Sequence, residues 1–126
     1  MTDIKKLGIK GEKFTVKFLK KNKYRILLRN MTCPYGEIDI IACNKKYIVF
    51  VEVKTRSEGQ MLAPQFSVDY KKRKRIKNTA NYFLRKYKTN LQPRYDIAEV
   101  TVDLKGKMRI NYIKNAFDGE EDLYKT

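Results

Sequence analysis

The 126-residue chain carries 29 Lys and Arg against 14 Asp and Glu, a formal charge of +15, and contains no histidine. The missing histidine excludes Ser-His-Asp and Cys-His hydrolases, zinc proteases and every histidine-based nuclease, so hydrolysis here would have to run on carboxylates, lysine and a hard metal. The charge calls for an anionic partner, nucleic acid being the commonest.

Residues 4–21 place apolar or small side chains at Ile4, Leu7, Gly8, Gly11, Phe14, Phe18 and Leu19, the spacing of a helix with one face for a core. Gly8 and Gly11 each cost about 1 kcal/mol of helix propensity, so their place on that face predicts close approach to another backbone. Glu12 sits at the edge of the stripe, where a carboxylate either points into a cleft or is simply solvated. Asn22-Lys23 ends the helix, 24–31 alternates as a first strand, and Pro34, Tyr35 and Gly36 turn the chain.

Two apolar runs follow, 38–42 and 47–53, joined at Asn44-Lys45 as a hairpin. They read as core strands that nevertheless carry charge. A two- or four-residue connection sets Asp39 opposite Phe50. Glu37, Asp39 and Ile41 then share one strand face, and Ile48, Phe50, Glu52 and Lys54 share one face of the next. A three-residue loop with a bulge would instead turn Asp39 to the other face. Cys33 and Cys43 lack metal-ligand spacing and read as reduced, partly buried thiols.

Residues 57–66 form a loop beside the charged patch. Ser67 caps a second helix with Asp69 in its first turn. The inner face of this helix is Ile76, Thr79, Ala80, Phe83 and Tyr87, and it ends near Thr89-Asn90. Between residues 71 and 94 there are ten Lys or Arg and no acid. Lys71, Arg73, Lys74, Arg75 and Lys77 fan around the helix start, usually just a solvated face but here suited to phosphate, as is Arg56. Lys72 lies on the apolar stripe, either snorkelling outward or reaching into the cleft. Strands at 94–103 and 108–113 flank a Lys105-Gly106 turn, and 117–126 is an acidic tail with the composition of a flexible segment.

The order αβββαββ gives an α/β class with a mixed central sheet of about five strands flanked by helices. The central strands are apolar on both faces, which fits one helix per face. One domain over 1–126 suffices. No apolar run is long enough to span a membrane and no signal-peptide core opens the chain, so the expected location is cytoplasmic.

Under the first register, Asp39 and Glu52 can supply two oxygen ligands to Mg²⁺, or to Mn²⁺ in its place, with water and a scissile phosphate filling the octahedron. Lys54, two residues on, would orient the attacking water or neutralise developing charge. Glu12 would complete the carboxylate set through the metal's water shell. The bland reading of the same residues is an internal ion pair at the rim of a sheet.

Taken together, Gly11-Glu12, Arg29-Asn30, Gly36-Glu37-Ile38-Asp39, the run from Phe50 through Glu52-Val53-Lys54 to Arg56, Lys72 with Ala80, and Arg94-Tyr95-Asp96 resemble the YraN family of bacterial proteins. That family is similar to the restriction-endonuclease-like PD-(D/E)XK superfamily, and Glu12, Asp39, Glu52 and Lys54 match the catalytic set of archaeal Holliday-junction resolvases. The resemblance covers roughly residues 7–103. Ile38-Asp39 replaces the superfamily's Pro-Asp. The resemblance implies a metal-dependent nuclease fold without fixing a substrate. Two functions follow as expectations: a Mg²⁺-dependent endonuclease acting on DNA rather than RNA, branched or damaged DNA included, or a non-catalytic nucleic-acid-binding module that kept the fold. Cutting a junction would call for two active sites, hence a symmetric homodimer.

Overall fold

Each apolar stripe of the sequence finds a sheet face to cover. In a computed structural model, which describes residues 3–58 and 70–117, the elements are α1 (Asp3–Lys21), β1 (Arg25–Cys33), β2 (Gly36–Cys43), β3 (Tyr47–Ser57), α2 (Tyr70–Lys86), β4 (Gln92–Val102) and β5 (Met108–Phe117). The strands form one mixed sheet in the order β1-β2-β3-β4-β5. Only β3 and β4 run parallel, joined by the connection that contains α2; the other pairs are antiparallel. Val16 and Leu19 of α1 pack on Ile40, Ala42, Val49, Val51 and Ala98. Ile76 and Ala80 of α2 pack on Ile38, Ile41, Ile48, Phe50, Tyr95 and Ile97. The sheet is thus covered once on each face, as two-faced apolar strands require.

Helix α1 stops where Lys23 takes a left-handed φ of 68°. The Tyr24 N–H then reaches back to the Leu19 carbonyl at 2.9 Å, closing orphan acceptors of the last turn. At the β4–β5 turn Gly106 has φ 85°, and the Asp103 carboxylate accepts from Lys105 and Lys107 N–H at 2.9 and 2.8 Å.

The inner face expected for α1 holds only in its second half. Gly11, Thr15, Val16 and Leu19 are buried, whereas Ile4 is 80% exposed and nothing lies within 4 Å of a Cβ built on Gly8. Among the described residues, the buried positions of the helix begin at Gly11. Gly11 does mark a close approach, but to a side chain rather than a backbone: a Cβ there would stand 1.8 Å from Thr55 Oγ1.

The hairpin register also differs from the expected one. Phe50 pairs with Ile41, not Asp39, and the regular pairing ends at Ile40↔Val51. Asn44 sets this offset: its Oδ1 accepts from Lys46 and Tyr47 N–H at 2.9 and 2.7 Å, which places the turn one residue later than Asn44-Lys45. Strand β5 runs on to Phe117, a buried residue that was expected to begin the tail. The rest of that tail, the Ser67 cap with Asp69, and residues 59–66 of the loop lie outside the described residues.

Candidate functional site

Side-chain alternation along β2 breaks at Asp39. Ile40 and Ala42 face α1, as alternation demands, but Ile38 joins Ile41 on the α2 side. The neighbouring strand shows why. Asn30 of β1, between the paired Arg29↔Ile40 and Met31↔Ile38, has a φ of 52°. Such a left-handed residue reverses the pleat, and Asn tolerates it better than most. Beyond Ile40↔Val51, β2 and β3 share no register pair, and the Val53 N–H donates to Asp39 Oδ2 at 2.8 Å. The strands part there over a cleft of ≈ 750 Å³ lined by Glu12, Asn30, Glu37, Asp39, Val53 and Lys54 among others.

Asp39, Glu52, Lys54 and Lys72 converge where the strands part. The Asp39 carboxyl is pushed up to about 7, first by burial and then by the charge of Glu52 and a hydrogen bond to it, against the Val53 N–H and Lys72. A like charge so close disfavours ionisation of Asp39, which keeps its proton well above the ordinary carboxylate range. Glu52 Oε2 also meets Lys72 Nζ at 3.5 Å, so Lys72 reaches into the site from α2 rather than snorkelling away.

The two lysines are pushed in opposite directions. Burial lowers the Lys54 amine, and its hydrogen bond with Lys72 lowers it further, against the pull of Glu52 and Asp39. Burial opposes the Lys72 charge as well, but its bonds to Lys54 and Glu52 outweigh burial and raise it. Of the two neighbouring amines, Lys54 is the one whose charge its surroundings disfavour, and Lys72 the one whose charge they favour.

Glu12 lines the cleft but stands apart from the carboxylate pair. Its Oε1 accepts from Arg29 Nε at 3.1 Å and Asn30 Nδ2 at 3.0 Å, with Arg29 Nη2 also at 3.1 Å. Among the described residues no three carboxylates or thiols are grouped closely enough to hold a metal. Glu12 thus meets Arg29 and Asn30 while lining the same cleft as Asp39. Arg29 and Asn30, whose side chains take up Glu12, carry no acid-base signal in the sequence that would have announced this.

Of the basic residues expected to contact nucleic acid, Lys71, Lys74 and Arg75 are exposed on α2. Arg56, Arg73 and Lys77 are half-buried. Lys72 reaches the carboxylates, its Nζ 3.5 Å from Glu52 Oε2.

A second buried polar cluster lies around Asp96, which is fully buried on β4. It accepts from Arg94 Nε and Nη2, each at 2.9 Å, from the Tyr112 hydroxyl at 2.6 Å, and from the Asn115 N–H at 2.9 Å. Arg94 also donates to the Tyr24 hydroxyl and lies over the Tyr47 ring at 4.5 Å. The β4–β5 register shifts between Tyr95 and Ile97, so Asp96 supplies an acceptor to a backbone N–H that the irregularity leaves without a ladder partner. Every polar group of the Asp96 carboxylate is spoken for, which marks this cluster as architecture.

These features define an α/β protein with a mixed five-stranded sheet, one helix on each face, and paired carboxylates with paired lysines at a cleft where two strands part. The chain belongs to the uncharacterised protein family UPF0102, whose model matches residues 11–100. It is 44% identical over 115 residues to a UPF0102 protein of Caldicellulosiruptor saccharolyticus, covering 90% of this chain and 98% of that one. A UPF0102 protein of Geobacter metallireducens is 42% identical over 116 residues, 90% of this chain and 93% of its own. One from Porphyromonas gingivalis is 37% identical over 118 residues, 93% and 87% respectively. Among the described residues no helix is long and apolar enough to cross a membrane.

Proposed function

We propose that this chain is a divalent-metal-dependent endonuclease acting on DNA. The observation that carries the reading is the Asp39–Glu52 pair, two carboxylates pressed together at an open cleft with two lysines beside them. Such a pair suits a hard cation: Mg²⁺ commonly takes one or two carboxylates and draws its remaining ligands from water and substrate phosphate. Asp39 and Glu52 would hold Mg²⁺ or Mn²⁺, which when bound acidifies water and offsets charge on the phosphate.

The chain's own groups have distinct parts in this reading. The Val53 N–H fixes one oxygen of Asp39 and so aims the carboxylate. Lys54, its amine lowered by burial, is suited to take the proton of the attacking water. Lys72 keeps its charge and would neutralise charge gathering on the phosphoryl oxygens. Glu12, rather than binding metal, braces Arg29 and Asn30 at the cleft wall. The formal charge of +15 favours a polyanion as substrate.

Incubating the purified protein with Mg²⁺ or Mn²⁺ and a panel of duplex, flap, junction and single-stranded DNA tests the reading. The expected result is EDTA-sensitive cleavage that drops at least ~100-fold in Glu52→Ala, as loss of a metal ligand or transition-state contact does. If no substrate is cut, or the cleavage survives Glu52→Ala, the endonuclease reading fails. Salt-dependent binding without turnover would then point to a nucleic-acid-binding module.

A further inference from the structure

The exposed side of α2 carries a stripe that leads away from the carboxylate pair. Lys71, Arg75, Asn78, Tyr82 and Lys86 follow one another at spacings of four, three, four and four, so they share one face of the helix. From Lys71 to Lys86 this face runs about 22 Å at 1.5 Å per residue. Its first turn adjoins Lys72, whose ammonium is on Glu52.

The turn between β1 and β2 leans on the middle of this stripe. A Cβ built on Gly36 would meet Thr79 Oγ1 at 3.3 Å and the Arg75 Cβ at 3.6 Å. The neighbouring Tyr35 ring stands edge-on to Tyr82, with centroids 6.2 Å apart at 61°, and keeps 48% of its surface in solvent. Lys86 Nζ lies 4.5 Å above the Tyr82 ring and also donates to the Tyr82 hydroxyl. An exposed Tyr35 and a half-buried Tyr82, paired among cations on a strongly basic chain, are an unusual use of tyrosine if the ligand offers only phosphates. Duplex DNA buries its base faces in its own stack, whereas unpaired nucleotides present both a π-face and a phosphate.

We propose that Tyr35 and Tyr82, with Arg75 and Lys86, form a stacking platform for unpaired nucleotides, and that the strand it holds is the one led along α2 to the carboxylate pair. The second half of this statement rests on the nuclease reading; the platform itself does not. A base lies against Tyr35 while Arg75 and Lys86 hold the flanking phosphates. The substrate class is accordingly a nucleic acid with a single-stranded stretch, such as a flap, gap or frayed end, in preference to an unbroken duplex.

Fluorescence anisotropy in EDTA tests the platform, because binding without divalent cation makes no use of the carboxylate site. The probes are labelled dT20, rU20 and a blunt 20-base-pair duplex. Wild type is expected to bind single strands more tightly than duplex at 100 mM salt. Tyr35→Ala should weaken single-strand binding at least ~5-fold while changing duplex affinity less than twofold, and Tyr35→Phe should restore it. Loss on dT20, on rU20 or on both supports the platform and identifies the sugar of the strand it takes. Equal affinity of Tyr35→Ala and wild type for both single strands overturns the proposal, and so does an equal loss on duplex and single strand. Tyr35 lies in an exposed turn, and Tyr82→Phe, which keeps the ring, provides a second variant expected to bind like wild type. Failure of cleavage alongside a positive anisotropy result would sink the nuclease reading and leave the platform standing, and the reverse outcome would do the opposite.

Discussion

At the scale of single residues, the behaviour of the site turns on Asp39. Its carboxyl, pushed up to about 7 by burial and by Glu52, titrates near 3.9 in an unfolded chain. A group whose folded pKa is raised stabilises the fold fully below the unfolded value and loses that contribution as pH rises through the folded one. Metal-free protein should therefore lose stability between about pH 4 and pH 7, and Asp39→Asn should flatten that decline and melt several degrees above wild type at pH 8. Thermal melts in EDTA across this range check it, and parallel pH profiles for the two proteins would contradict it. Asp96 behaves differently because its charge is fully matched. Asp96→Ala would leave Arg94 buried against Tyr24 and Tyr47 with no counter-charge, a loss of roughly 3–5 kcal/mol in urea denaturation. A loss below ~1 kcal/mol would show that the cluster is not held by that pair.

At the scale of elements, the two glycines of α1 look alike in sequence and differ in the fold. Gly11→Ala drives a methyl into Thr55 on β3 and should cost ~1–3 kcal/mol, with Thr55→Ala relieving most of it. Gly8→Ala meets open space and should stabilise the helix by up to ~1 kcal/mol. Urea midpoints of the two variants should move in opposite directions. Periodicity could not separate them, because it reports which face a residue occupies and not how far the sheet extends beneath it. The same limit applied to the hairpin. The apolar runs identified β2 and β3, but their offset was set by a side chain, Asn44 Oδ1, bonding to its own turn. The same offset, continued one step past Ile40↔Val51, sets Asp39 opposite Glu52 where the strands part. Helix α2 was the most legible element: Ile76, Thr79 and Ala80 are buried as its stripe required.

At the scale of the whole molecule, the order αβββαββ and the mixed sheet were readable because strands apolar on both faces need a helix on each. The Arg94–Asp96–Tyr112 cluster was not, since contacts between β4, β5 and the start of β1 depend on where the strands shift register. Within this frame two strand irregularities, opposite Asn30 and between Tyr95 and Ile97, are each met by an aspartate, and the two aspartates have opposite fates. Asp96 is saturated with donors in the interior, whereas Asp39 opens on a cleft beside Glu52, with its carboxyl pushed up to about 7. That contrast is the reason to place metal chemistry at one and architecture at the other. Isothermal titration of Mn²⁺ into metal-free protein at pH 6, in buffers of different ionisation enthalpy, tests it most directly. Binding to the pair should release about one proton, because the Asp39 carboxyl, pushed up to about 7, must give up its proton when the cation enters, and both heat and proton release should vanish in Glu52→Ala. Binding that releases no proton, or that is unchanged in Glu52→Ala, would contradict a cation site at Asp39 and Glu52.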